Sequence, residues 1–152
     1  MLVLENVSEE AENDLYRELY AGLPVPMPDL DGEPWRPPYG TVAGRENGAL
    51  AGWTVFFAEE PGSSTSVLQW LLLDRERQRI TDGHNTTHPG TPAEIEILSA
   101  LAAESAVLAR KAGYAQLRWG QAEPGFAEGI ATALGAQPFN DDEGYRFYRL
   151  YL

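Results

Sequence analysis

The residues with most capacity for chemistry crowd into one connection, "LLLDRERQRITDGHNTTHPGTPAEIEIL". Arg75, Arg77 and Arg79 could bind phosphate through side-chain charge. His84 and His88 have donor types that bind metal, and Asp82 could join them. On a helix the two histidines would share a face, but Gly83, Asn85 and Pro89 make this stretch a loop or strand end. Without a third and fourth ligand the stretch is better read as a solvated polar loop, and no metal is expected. The chain contains no cysteine, which excludes disulfides, thiolate nucleophiles and Cys-based metal centres.

The elements that must position these residues follow from apolar periodicity and turn residues. "LVLENV" is a short apolar strand. Ser8 is a candidate N-cap, with Glu9 and Glu10 placed where the helix dipole favours acids, and Leu15, Tyr16 and Leu19 recur at helical spacing. Six prolines in "LPVPMPDLDGEPWRPPYG" exclude regular structure there. Such a long irregular stretch either lines a site or wraps the surface, held by Trp35 and Tyr39; we expect Leu23 to Pro38 to lie over one edge of a cleft. Asn47-Gly48 is a strong hairpin signal, joining two strands of "TVAGRENGALAGWTVFFAEE". "TSVLQWLLLD", apolar on both faces, is expected to be a central strand. Ile95, Leu98, Leu101 and Leu108 mark one face of a long helix over 93–112 that Gly113 ends. A strand near 114–119, a short helix opened by Pro124 and ended by Gly135, and the strand "YRFYRLYL" complete the chain. A meander followed by a strand–helix–strand crossover predicts an α+β fold: a mixed, mostly antiparallel central sheet with helices on its faces. Trp53, Trp70, Trp119, Tyr145 and Phe147 are expected first in the core on that sheet and second as a cluster around a hydrophobic ligand.

At 152 residues, 43% hydrophobic and 22% charged, the chain is expected to fold as one domain over 1–152. Its start turns acidic too early for a signal peptide and no apolar run approaches a membrane span, so a cytoplasmic protein is expected. The net charge of −12 repels phosphate backbones and anionic lipid, which argues against nucleic acid and membrane as partners. It favours cationic or neutral small molecules.

The element order resembles the Gcn5-related N-acetyltransferase (GNAT) superfamily over nearly the whole chain. "MPDLDGEPW", "GALAGWTVFF" and "LQWLLLDRERQR" are similar to a half-domain of actinobacterial tandem acetyltransferases, and "ARKAGYAQLRW…FAEGIATALGAQPF" resembles the end of the same fold. The resemblance implies an acyl-CoA-dependent N-acyltransferase acting on a small-molecule amine, with acetyl-CoA as cofactor. Its pantetheine arm would lie on the central strand at Leu71, Leu72 and Leu73, and its pyrophosphate would meet Arg77 and Arg79. The family's tyrosine general acid aligns with Ala131, which carries no proton. A general base near the central strand would be Glu59, Glu60 or Asp74, each more commonly a solvated acid at a strand end, so no catalytic residue is assigned. The arginine-rich stretch lacks the family's glycines, and Glu94 and Glu96 sit where they would repel a pyrophosphate. Residues 75–92 are therefore expected to form an extended loop without a standard anion nest. The alternative is a catalytically silent domain of this type that binds a ligand, or pairs as a homodimer or with a second acetyltransferase-like domain.

Overall fold

The computed structural model describes residues 1–27, 35–74, 76, 78–82, 90–120 and 124–152, with only the backbone of Asp82 and Pro124. The Asn47-Gly48 turn is made as its residues require. Both take positive φ, 52° and 82°, the mirror-image turn that matches strand twist, and join β2 (Gly40–Glu46) to β3 (Ala49–Ala58). β1 (Leu2–Val7) pairs antiparallel with β2. β3 pairs antiparallel with β4 (Thr65–Asp74), in register from Gly52–Leu72 to Ala58–Ser66.

α1 (Glu12–Tyr20) lies between β1 and β2 in sequence. Ser8 does not cap it: a 3₁₀ turn over Glu9–Ala11 intervenes, and the Ser8 side chain makes no capping hydrogen bond. α2 (Pro92–Lys111) connects β4 to β6 (Gln116–Gly120), which pairs parallel with β4. α3 (Pro124–Leu134) then leads to β7 (Gln137–Asn140) and β8 (Arg146–Tyr151). Gly113 and Gly135, both at positive φ, end α2 and α3. The amides that follow donate back to Ala109 and Ala131, a left-handed C-terminal cap.

Among the described residues these strands form one sheet in the order β1-β2-β3-β4-β6-β8-β7. The fold is α+β and the sheet mixed and mostly antiparallel, as expected. Two strands were not anticipated, and one is a correction. Residues 79–82, placed in an extended loop, form β5 (Arg79–Asp82), which folds back antiparallel on Leu71–Asp74. The other, β7, carries Pro138 and sits at the sheet edge, where a missing N–H is tolerated.

Strand alternation divides the core in two. Phe56, Leu68, Trp70, Leu72, Leu117, Trp119 and Tyr148 point to one face and pack under α2 and α3. Ala43, Leu50 and Trp53 point to the other and meet Leu15 and Leu19 of α1. Phe147 is half-buried, whereas Tyr145 is 64% exposed and corrects its placement in the core: it sits in the turn before β8. No helix among the described residues is long and apolar enough to cross a membrane.

Candidate functional site

The β4 backbone has one edge wholly given to β3. Its other edge is shared. β6 takes Thr65–Val67, and the Ser66 hydroxyl donates to the Gln116 carbonyl at 2.9 Å. β5 takes Leu71–Asp74, and the Thr81 hydroxyl donates to the Leu72 carbonyl at 3.3 Å. Between them, Leu68, Gln69 and Trp70 have no strand partner on that edge among the described residues. This is where β4 parts from β6, an opening in the pairing about 10 Å long at the rise of a strand; Leu68 and Trp70 themselves are buried. Of the positions predicted to hold a pantetheine arm, Leu71 and Leu72 are paired on both edges, and Leu73 is paired with Ile80 of β5.

At the N-terminus of α2 the first donors are already engaged. Thr91 Oγ1 accepts from the Glu94 amide at 3.2 Å, and a Glu94 carboxylate oxygen accepts from the Thr91 amide at 2.9 Å. This capping box satisfies two otherwise unpaired donors and places a carboxylate at the positive end of the helix dipole. Arg79 lies on β5 with its Nε 3.9 Å from the buried Asp74 carboxylate. Arg75, Arg77, His84 and His88 lie outside the described residues, as does the Asp82 side chain. Among the described residues no cluster of three potential metal ligands occurs.

The candidate bases and acid have structural surroundings. Glu59 pairs with Arg118 at 2.9 Å, and Arg118 in turn lies over the Phe147 ring. Glu60 is exposed in the turn after β3. Ala131 lies on the buried side of α3, as an apolar residue there should. The adjacent indole, Trp119, donates from Nε1 to the Ala127 carbonyl at 3.0 Å.

A second concavity, on the α1 face, was not foreseen. It is lined by Glu12, Tyr16, Trp35, Thr41, Trp53 and Val55 and holds about 220 Å³ of empty space, part of it open to solvent. The Thr41 hydroxyl donates to Glu12 Oε1 at 2.8 Å. Burial pushes the Glu12 carboxyl above its ordinary value; the Thr41 hydrogen bond opposes this and the nearby Glu9 charge adds to it. Tyr16 packs edge-on against Trp53 at 4.4 Å, and Trp35 stacks on Phe57 at 4.9 Å. The signal for this pocket is dispersed in sequence: a helix start, a strand and the end of the proline-rich stretch meet only in three dimensions. That stretch is described at 23–27 and 35–38. Its end is docked, with the Ala58 amide donating to the Arg36 carbonyl and the Tyr114 hydroxyl to the Pro38 carbonyl.

No protein-family model and no curated protein sequence matches the chain. Solved structures do. The GNAT domain of S. lividans PAT superposes with a TM-score of 0.67 at 12% identity, covering 98% of this chain and 89% of that one. An acetyltransferase of the GNAT family from Staphylococcus aureus gives 0.62 at 11% identity over 100% and 99% of the two chains. A ribosomal-protein-alanine N-acetyltransferase from Brucella melitensis gives 0.58 at 14% identity over 99% of each. Identities this low speak for the arrangement of the backbone and not for its chemistry: the chain has the fold of the Gcn5-related N-acetyltransferase superfamily over nearly its full length.

Proposed function

We propose that the chain is an N-acyltransferase that draws its acyl group from an acyl-CoA, acetyl-CoA in the first instance, and passes it to a small-molecule amine. The observation that carries this reading is the parting of β4 from β6, which leaves Leu68–Trp70 without a strand partner on that edge among the described residues, inside a fold shared with acetyltransferases. An open strand edge suits an arm that carries amides, because each amide can pair as an added strand would. The N-terminus of α2 is a poor match for a pyrophosphate, since Thr91 and Glu94 close it. Phosphate contact is therefore assigned to side-chain charge at Arg79, with Arg77.

The test is thermal denaturation with millimolar acetyl-CoA. A ligand that binds the native state alone raises the melting temperature by mass action, and a rise of several degrees is expected. The Arg77→Ala/Arg79→Ala double variant should lose it. Because side-chain charge carries the contact, the wild-type shift should shrink steeply with added salt. An unmoved melting temperature at millimolar ligand overturns the reading.

A second reading is favoured by one observation, the occupation of Leu71–Asp74 by β5. A silent domain of this fold would have no use for that edge of β4 and could fill it with its own chain. It would then serve as a ligand-binding or subunit-pairing protein, with a second copy or another acetyltransferase-like domain as partner. Absence of any acetyl-CoA shift, together with a dimer in sedimentation, would favour it.

A further inference from the structure

We propose that the pocket bounded by Glu12, Tyr16, Trp35, Thr41 and Trp53 is a binding site for an alkylammonium head. Three features converge. The first is charge: Glu12 presents a carboxylate fixed by the Thr41 hydroxyl at 2.8 Å, and no cation lies within ion-pair distance of it among the described residues. Glu9 and Glu10 add to the negative field, which also raises the nearby Tyr39 phenol after burial, the larger cause. A carboxylate drawn partly out of water and left without a counter-charge is stabilised by any cation that can reach it.

The second is the walls. Tyr16, Trp35 and Trp53 line the same pocket as Glu12, and aromatic walls are surroundings that attract an organic cation. They are held in advance of binding. Trp53 is 4% exposed and braced edge-on by Tyr16. Trp35 is stacked on Phe57, which Arg36 covers at 5.1 Å while its Nε donates to the Ala58 carbonyl at 2.7 Å. Pre-ordered walls lose little entropy when a ligand arrives.

The third is size and place. The empty space is about 220 Å³, part of it open to solvent, below the roughly 300–1,000 Å³ of a pocket that encloses a drug-sized ligand, so the pocket takes a head and not a whole ligand. Trp53 and Val55 sit beside Leu71 and Gln69 of β4. The pocket is thus on the order of two strand spacings, roughly 10 Å, from the opening at Leu68–Trp70. An ammonium held on Glu12 is protonated and has no lone pair with which to accept an acyl group. If the acyl-transfer reading holds, on which this last step rests, the head is the anchoring end of a diamine whose other nitrogen reacts.

The probe is butane-1,4-diamine, with butane-1,4-diol as the uncharged control, added to the full chain without acetyl-CoA. Binding is followed by the indole N–H resonances of Trp35 and Trp53. The diamine should shift both and the diol neither. Glu12→Gln keeps an acceptor for Thr41 and removes the charge; it should weaken binding at least tenfold without lowering the melting temperature. Glu10→Gln removes the same charge from an exposed position and should change binding less than threefold. Equal shifts with diamine and diol, or equal losses in the two variants, would overturn the proposal. Diamine binding without any acetyl-CoA shift would keep the pocket and reject acyl transfer.

Discussion

At Gly52 the absence of a side chain is structural. A Cβ there would run into the Leu71 carbonyl oxygen and lie 3.1 Å from Leu72 Cα, both backbone atoms of the neighbouring strand that cannot rotate away. Gly52→Ala should lower stability by about 1–3 kcal/mol, the usual effect of overpacking, as measured by urea denaturation at fixed pH. Glu12 makes a prediction of opposite sign. Its carboxyl is held above the ordinary 4.5, so the folded chain binds that proton more tightly than the unfolded chain does. Stability contributed by the protonated form is complete below the ordinary value and lost as pH rises through the raised one. Glu12→Gln escapes that loss. Its urea midpoint should therefore gain on the wild type as pH climbs from below the ordinary 4.5 through the raised value and run parallel to it above. The other titrating groups around Glu12 are Glu9, Glu10, Tyr16 and Tyr39; the phenols are raised and stay neutral throughout this window.

Among elements, one guanidinium joins α1 to two strands of the sheet, in addition to the Thr41–Glu12 hydrogen bond. Arg45 of β2 donates to Glu5 of β1 at 3.0 Å and to both Glu18 oxygens of α1 at 2.5 and 3.0 Å. The Arg45 hydrogen bond is the largest cause lowering the Glu18 carboxyl, so the stability it contributes is present above the ordinary carboxylate value and lost as pH falls through the lowered one. These side chains are partly exposed, and the effect is correspondingly small. Arg45→Ala should remove about 1 kcal/mol or less at neutral pH and speed amide exchange in α1 more than in α2. The elements differ in how legible they were. β2 and β3 could be read because Asn47-Gly48 encodes its own turn, and α2 because its apolar stripe is long. β5 and β7 could not. "RITD" and "QPFN" are each four residues long, too short to show alternation, and their pairing is decided by strands distant in sequence. The candidate site divides the same way: the opening follows from sheet order, whereas the Glu12 pocket joins residues 12, 35 and 53 with nothing local to announce it.

At the scale of the molecule, the sheet keeps apart two apolar clusters, one under α2 and α3 and one under α1. The four tryptophans are divided equally between the faces. Trp70 and Trp119 are buried in the larger cluster, with Trp119 stacked on Tyr148. Trp53 belongs to the smaller one, and Trp35 borders it at the pocket. The division gives the protein two optical reporters with different neighbours. Emission from the first pair should be blind to acrylamide. Emission from the second should be quenched by it in step with the access of solvent to the Glu12 pocket. A Trp35→Phe variant would leave Trp53 as the single emitter on the α1 face, so loss of the α1 packing could be watched by light while the larger core stayed dark to the quencher.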